Sequence, residues 1–217
     1  MPVPAAHHEA ARLLAKLKSR HIVLVGLMGA GKTSVGKRLA QRLGLPFVDS
    51  DHAIEESARM TIPEIFALRG EAEFRTGERK VIARLLAEEQ QVIATGGGAY
   101  MDPETRSRIR ANGVSLWLNA ELPVLLRRVQ RRHNRPLLQG SDPEATLREL
   151  IARRYPVYAE ADISILSQET PHETMVQMAI DALTAYLERE DAPFPAPKNS
   201  TPQNSAPQDS APQDSAE

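Results

Sequence analysis

Cysteine is absent from this 217-residue chain, which excludes a disulfide framework and any thiolate metal site. A reducing compartment fits that absence, and a cytoplasmic location is the expectation. Aromatic residues are scarce, at 4% with a single tryptophan. Stacking on exposed bases needs aromatic platforms, so nucleic acid is not an expected partner. Charge of one sign is lacking too: the formal net charge is −1, which steers the chain toward neither nucleic acid nor a membrane surface. No apolar run in the sequence approaches the roughly 18 residues that a membrane span needs.

What remains is ordinary: 41% hydrophobic and 25% charged residues fit one globular domain with appendages. A domain of this size buries most of its apolar surface without disulfides. The first 18 residues have no apolar secretory core. Their Ala, Arg and Lys content leaves a transit peptide open, but the reading taken is a short amphipathic helix beside the first strand. Residues 19–190 form the expected domain. From 191 to 217 the chain is Pro, Ser, Gln and Ala with a near-repeat of Ser-Ala-Pro-Gln-Asp; with almost nothing to bury, it predicts a disordered tail.

Within the domain, short apolar runs alternate with helical periodicity. His21 to Val25 reads as a buried parallel strand. Further strands are expected at Pro46–Val48, Gln91–Ala94, Val114–Leu118 and Asp162–Leu166. Helices are expected from Thr33 to Leu43, over Ile54–Leu68 in two pieces broken near Pro63, and from Glu71 to Glu89. Such alternation predicts a three-layer α/β/α fold around a five-stranded parallel sheet. Ligands on such sheets bind at the carboxyl ends of the strands, and Gly26, Asp49 and Gly96 each follow a proposed strand end.

The strongest motif is Gly26-Leu-Met-Gly-Ala-Gly31-Lys32-Thr33, which fits G-x-x-x-x-G-K-[ST]. Its glycines let backbone N–H groups cradle phosphates, and the helix that follows points its positive end at the same anion. Lys32 is a mobile cation for the outer phosphates, and the Thr33 hydroxyl is a hard ligand for one Mg²⁺ ion. Next comes Asp49-Ser-Asp51. One carboxylate could orient Mg²⁺ through its water shell and the other accept a proton from a substrate hydroxyl; Asp51 could instead cap the next helix. Thr95-Gly96-Gly97-Gly98 lets backbone approach a ligand, or is a plain flexible turn. Arg75 and Arg154 suit a bidentate grip on a carboxylate. The basic run from Arg127 through Arg135 reads as a nucleic-acid patch, a solvated helix face, or an arginine-bearing lid over phosphates at about 127–142. His133, without a metal-ligand partner at useful spacing, reads as a surface residue.

With these residues in view, the chain resembles the shikimate kinase family of nucleoside-monophosphate-kinase-like P-loop proteins. The resemblance runs from about Ser19 to Leu187. It rests on GLMGAGKTSVG, FVDSD, GEAEFR, TGGGA, RPLL and ARRYPVY in that order. It implies ATP-dependent phosphorylation of the 3-hydroxyl of shikimate in aromatic amino-acid biosynthesis, with a mobile lid. Carried over by position, ATP would be held by Gly29, Ala30, Gly31, Lys32, Thr33 and Ser34, with Arg128 near the adenine and Arg135 closing onto the phosphates. The loop from Ser167 to Pro171 would also border the adenine, though it matches poorly. Thr33 would bind Mg²⁺ directly and Asp49 through water. Asp51, Arg75, Gly97 and Arg154 would hold shikimate, and Lys32, Asp51 and Arg135 would carry the chemistry. Tyr100 replaces a usual aliphatic residue, with packing expected there. A monomer is expected.

Other readings stay in view. Another small-molecule kinase, such as one for gluconate, would share the phosphate loop and a carboxylate grip. A GTP-binding switch would need N-K-x-D and D-x-x-G, and the chain has neither. A nucleic-acid-associated ATPase would show strong, salt-dependent binding of polynucleotide.

Overall fold

The structure is a computed structural model and describes residues 5–130 and 142–190. Its centre is β1 (His21–Val25), whose five residues are all buried. A strand buried on both faces must be covered by helices on both sides, which is why HIVLV is a continuous β-branched run. β1 pairs in parallel with β3 (Val92–Ala94) and with β4 (Gly113–Asn119), with Leu24 opposite Ala94 on one side and Leu116 on the other. Beyond them lie β2 (Phe47–Asp49) and β5 (Ile163–Leu166). The sheet order is β2-β3-β1-β4-β5. All five strands are parallel, as the alternating sequence pattern requires.

α2 (Lys32–Leu43) follows the glycine turn directly and buries Val35, Leu39 and Leu43. α8 (His172–Glu190) packs against α2. The amino-terminal segment is helical, α1 (Ala5–Leu17). It was expected beside β1, but it packs on α8 and α2 instead. Leu13 and Leu17 are fully buried there, and Arg12 reaches Glu188 at 2.7 Å.

α3 (Ser50–Ala58) and α4 (Ile62–Leu85) replace the three helices expected between Ile54 and Glu89. Pro63 does not break a helix. It lies in the first turn of α4, where a missing N–H costs nothing, behind a capping box of Thr61 and Glu64. The interruption comes instead at Gly70, whose φ of 79° and ψ of 171° kink α4. Phe74, Ile82 and Leu85 are buried along α4, and Leu86 just past its end.

α5 (Pro103–Asn112) leads into β4, α6 (Leu122–Gln130) follows it, and α7 (Pro143–Tyr158) leads to β5. Tyr100 is buried and its hydroxyl meets Ser115 Oγ at 3.4 Å. The carboxyl ends of β1, β2 and β3 all open to one edge of the sheet.

Candidate active site

The turn after β1 places Gly26 at a φ of 136°, and a Cβ there would come within 2.8 Å of the Leu118 carbonyl. Only glycine fits so close to the neighbouring strand. α2 then begins at Lys32 with its N-terminus facing the turn. Lys32 Nζ donates to the carbonyls of Gly26 at 2.7 Å and Leu27 at 3.0 Å, so the ammonium lies folded against its own loop. A cavity of about 420 Å³ opens here, lined by Met28 through Val35, Asp49, Asp51, Thr95 and Gly97. Arg128, Ser167, His172 and Met175 line it as well. The motif residues Gly29, Ala30, Gly31, Lys32, Thr33 and Ser34 are thus all at one cavity wall.

Thr33 Oγ1 donates to Asp49 Oδ2 at 2.8 Å. The other oxygen of Asp49 accepts from the Asp51 amide at 3.1 Å, which makes Asp49 the cap of α3. The capping role considered for Asp51 therefore belongs to Asp49, and the Asp51 carboxyl is left for the cavity. Burial pushes the pKa of Asp51 up to about 6, with the charge of Asp49 next in effect and Lys32 opposing. Asp51 also lies against the glycine run: a Cβ on Gly96 would stand 2.4 Å from Asp51 Oδ1.

Thr33 and Asp49 place two hard oxygen donors side by side at the phosphate loop, a pair that could take Mg²⁺. Among the described residues no group of three or more His, Cys, Asp or Glu is placed to hold a metal. Such a sparse donor set suits an ion that takes most of its ligands from phosphate and water.

The two candidate carboxylate-binding arginines meet at adjacent glycines. A Cβ on Gly98 would lie 2.4 Å from Arg75 Nη1, and one on Gly97 would lie 3.5 Å from Arg154 Nη1. Arg75 is held by Glu78 at 2.8 Å and by Glu71 at 3.2 Å. Burial works against its charge, but these carboxylates outweigh it and raise its pKa. Glu78 is itself buried, and burial raises its pKa while Arg75 lowers it. Arg154 is 5% exposed and donates to the Gly97 carbonyl at 2.7 Å. Its Nε is buried with no hydrogen-bond partner among the described residues, an uncommon and costly state for a guanidinium.

Arg128 donates to Ser167 Oγ at 2.9 Å, to the Gly29 and Ala30 carbonyls at 3.2 and 3.3 Å, and to the Gln168 carbonyl at 2.7 Å. It ties the phosphate loop to the segment after β5, and burial lowers its pKa. Arg135, His133 and most of the expected lid lie outside the described residues.

Sequence reasoning passed over Glu78, Ser50, Tyr158, His172 and Met175. Glu78 had a local signal, since Glu71 and Glu78 flank Arg75 at i−4 and i+3, the spacing of helix ion pairs. The others had none. Ser50 is recognised only because its Oγ accepts from the Gly96 amide at 2.9 Å, 46 residues away.

The family model described as shikimate kinase matches residues 28–184. A shikimate kinase of Rhodopseudomonas palustris is 56% identical over 177 residues, 82% of this chain and 87% of that one. The solved structure of a shikimate kinase from Acinetobacter baumannii in complex with shikimate is similar at 39% identity and a TM-score of 0.75, covering 80% of this chain and 97% of that one. A gluconokinase from Sinorhizobium meliloti aligns at 19% identity and a TM-score of 0.54 over 79% and 95% of the two chains, a likeness of fold alone. Sequence and structure agree over most of the chain, and the chain belongs to the shikimate kinase family.

Proposed function

We propose that this chain transfers the γ-phosphoryl group of ATP to the 3-hydroxyl of shikimate with its residues in the following roles. The activity itself follows from membership in the family and places the chain in the shikimate pathway of aromatic amino-acid biosynthesis. The amides of Gly29 through Ser34, with Lys32, hold the phosphates. Lys32 leaves the Gly26 and Leu27 carbonyls to do so, exchanging two neutral acceptors for an anion. Mg²⁺, taken by Thr33 directly and by Asp49 through water, would neutralise charge on the transferring phosphates. Arg128 borders the nucleoside, and Arg135 is assigned to the phosphates from its motif.

Arg75 and Arg154 grip the substrate carboxylate, and the Gly97 amide donates to the substrate. Asp51 accepts the proton of the 3-hydroxyl as that oxygen bonds to phosphorus and the bond to the ADP oxygen breaks. Phosphoryl transfer demands mainly positioning and charge neutralisation. The observation that carries the reading is the convergence on Gly96, Gly97 and Gly98 of Asp51, Arg154 and Arg75, one against each glycine, with Asp51 and Gly97 lining the phosphate cavity.

A monomer acting in the cytoplasm, with no nucleic-acid or membrane partner, completes the proposal. Among the described residues no helix is long and apolar enough to cross a membrane. The test is a coupled ADP-release assay with shikimate, gluconate and nucleoside monophosphates. Turnover with shikimate and at most traces with the others is expected; preference for gluconate would overturn the acceptor assignment.

A further inference from the structure

The glycine run has its carbonyls held and two of its amides left over. The Gly96 carbonyl accepts from the Ala99 amide at 3.2 Å, and the Gly98 carbonyl from the Met101 amide at 3.0 Å. The Gly97 carbonyl takes two donors one helical turn apart on α7, Arg154 Nη1 at 2.7 Å and the Tyr158 hydroxyl. The Gly96 amide is bound to Ser50. The amides of Gly97 and Gly98 have no hydrogen-bond partner among the described residues.

In a trans peptide the carbonyl and the following N–H point in opposite directions in one plane. Holding the Gly96 and Gly97 carbonyls therefore aims the amides of Gly97 and Gly98. Glycine has no side chain to restrict its own backbone, so the aim must be imposed from outside. Arg154 is a conditional partner for this task, because its guanidinium is also the group assigned to the substrate carboxylate. Tyr158 is different. It is 1% exposed, with its ring packed among Trp117, Tyr155 and Tyr100 at centroid distances of 6.0, 6.2 and 6.4 Å. Burial raises its pKa, which keeps the hydroxyl a neutral donor through the physiological range.

We infer that Tyr158 is a positioning residue for the acceptor: its hydroxyl holds the Gly97–Gly98 peptide so that the Gly98 amide faces the substrate beside the Gly97 amide, which the Ala99-held Gly96 carbonyl aims, and it keeps that hold when Arg154 turns to the substrate carboxylate. This rests on the acceptor site proposed above. Tyr158 acts through the glycine backbone and does not touch the reacting atoms.

The experiment compares Tyr158→Phe, Tyr155→Phe and Arg75→Ala in steady-state kinetics and thermal melting. Tyr158→Phe keeps the ring and deletes one hydrogen bond, so the KM for shikimate should rise about three- to tenfold. The KM for ATP should stay within about twofold, since the phosphate loop is untouched. Tyr155, in the same aromatic cluster, donates to the Ala120 carbonyl instead, and its variant should leave the shikimate KM unchanged. If Tyr158→Phe lowers the melting temperature but leaves the shikimate KM alone, or raises both KM values alike, the hydroxyl is merely structural and the inference is overturned. If Arg75→Ala also leaves the shikimate KM unchanged, the acceptor site itself is misassigned. Should Tyr158→Phe not fold, the wild-type chain decides. Shikimate must then slow hydrogen exchange at the Gly98 amide, the one on the peptide that Tyr158 holds; slowing at Gly97 with unchanged exchange at Gly98 overturns the inference, and unchanged exchange at both overturns the acceptor site as well.

Discussion

Arg75 and Glu78 lie one turn apart on α4, and the guanidinium donates to the buried carboxylate at 2.8 Å. The pair fixes Arg75 beside Gly98, so that its position does not depend on a ligand. Glu78→Gln keeps the size and removes the charge. The shikimate KM should rise about fivefold, in the range of one charge-assisted hydrogen bond weakened to a neutral one. ATP affinity, measured by titration, should not change. An unaltered shikimate KM would mean that Arg75 is held by Glu71 alone.

Gly98→Ala tests the same neighbourhood by volume. Gly98 has φ −101° and ψ −18°, which any residue adopts, so the backbone is not strained. The new Cβ would instead meet Arg75 Nη1 at 2.4 Å. To make room the guanidinium must leave its ion pair with the buried Glu78, so the melting temperature should fall as well. The displaced guanidinium should raise the shikimate KM about tenfold or more. A fall in melting temperature with unchanged KM would show that Arg75 is not needed where it stands.

Asp51 gives a pH signature. With a pKa of about 6 against an ordinary 3.8, kcat/KM for shikimate should fall tenfold per pH unit below about pH 6. Stability runs the other way. A raised folded pKa means that the folded chain holds the proton more tightly, so this contribution is complete below about pH 4 and is lost as pH rises through about 6. Asp51→Asn should therefore be nearly inactive, yet more stable than wild type at pH 7.5 by on the order of 2 kcal/mol. Equal melting curves for the two proteins at pH 7.5 would contradict the burial of that charge.

Lys32→Ala removes the one ammonium of the phosphate loop. Turnover should drop by at least about a hundredfold, as expected when a cation that serves transition-state charge is lost. The fold should persist by circular dichroism. Retention of more than about a tenth of wild-type turnover by the folded variant would refute the phosphate role.

α1 offers a contrast between stability and function. Leu13 is fully buried between α1 and the domain. Leu13→Ala should cost about 2–4 kcal/mol in chemical denaturation and leave both KM values as they were. A change in either KM would tie α1 to the active site.

Asp51, Arg75, Gly97 and Arg154 entered as candidate substrate residues through the family resemblance, whereas the sequence alone determined the phosphate loop and the strand–helix alternation. Those features are local: a glycine pattern at fixed spacing and apolar periods of two and 3.6 can be read from one stretch of chain. Pro63 misled because a proline breaks a helix interior but suits a first turn, and only the capping box around it says which applies. Whether Asp51 capped the next helix or faced a ligand could not be read from the sequence, since both roles suit an aspartate after a strand. The tertiary structure gave the cap to Asp49, set between Thr33 and the Asp51 amide, and buried Asp51 against Gly96. Likewise Tyr158 and Gly97 are 61 residues apart, and Arg128 and Ser167 are 39 apart. Contacts of that separation leave no periodic trace in the sequence. They exist only because a parallel sheet gathers its strand ends at one edge, where loops distant in the chain must share one cavity.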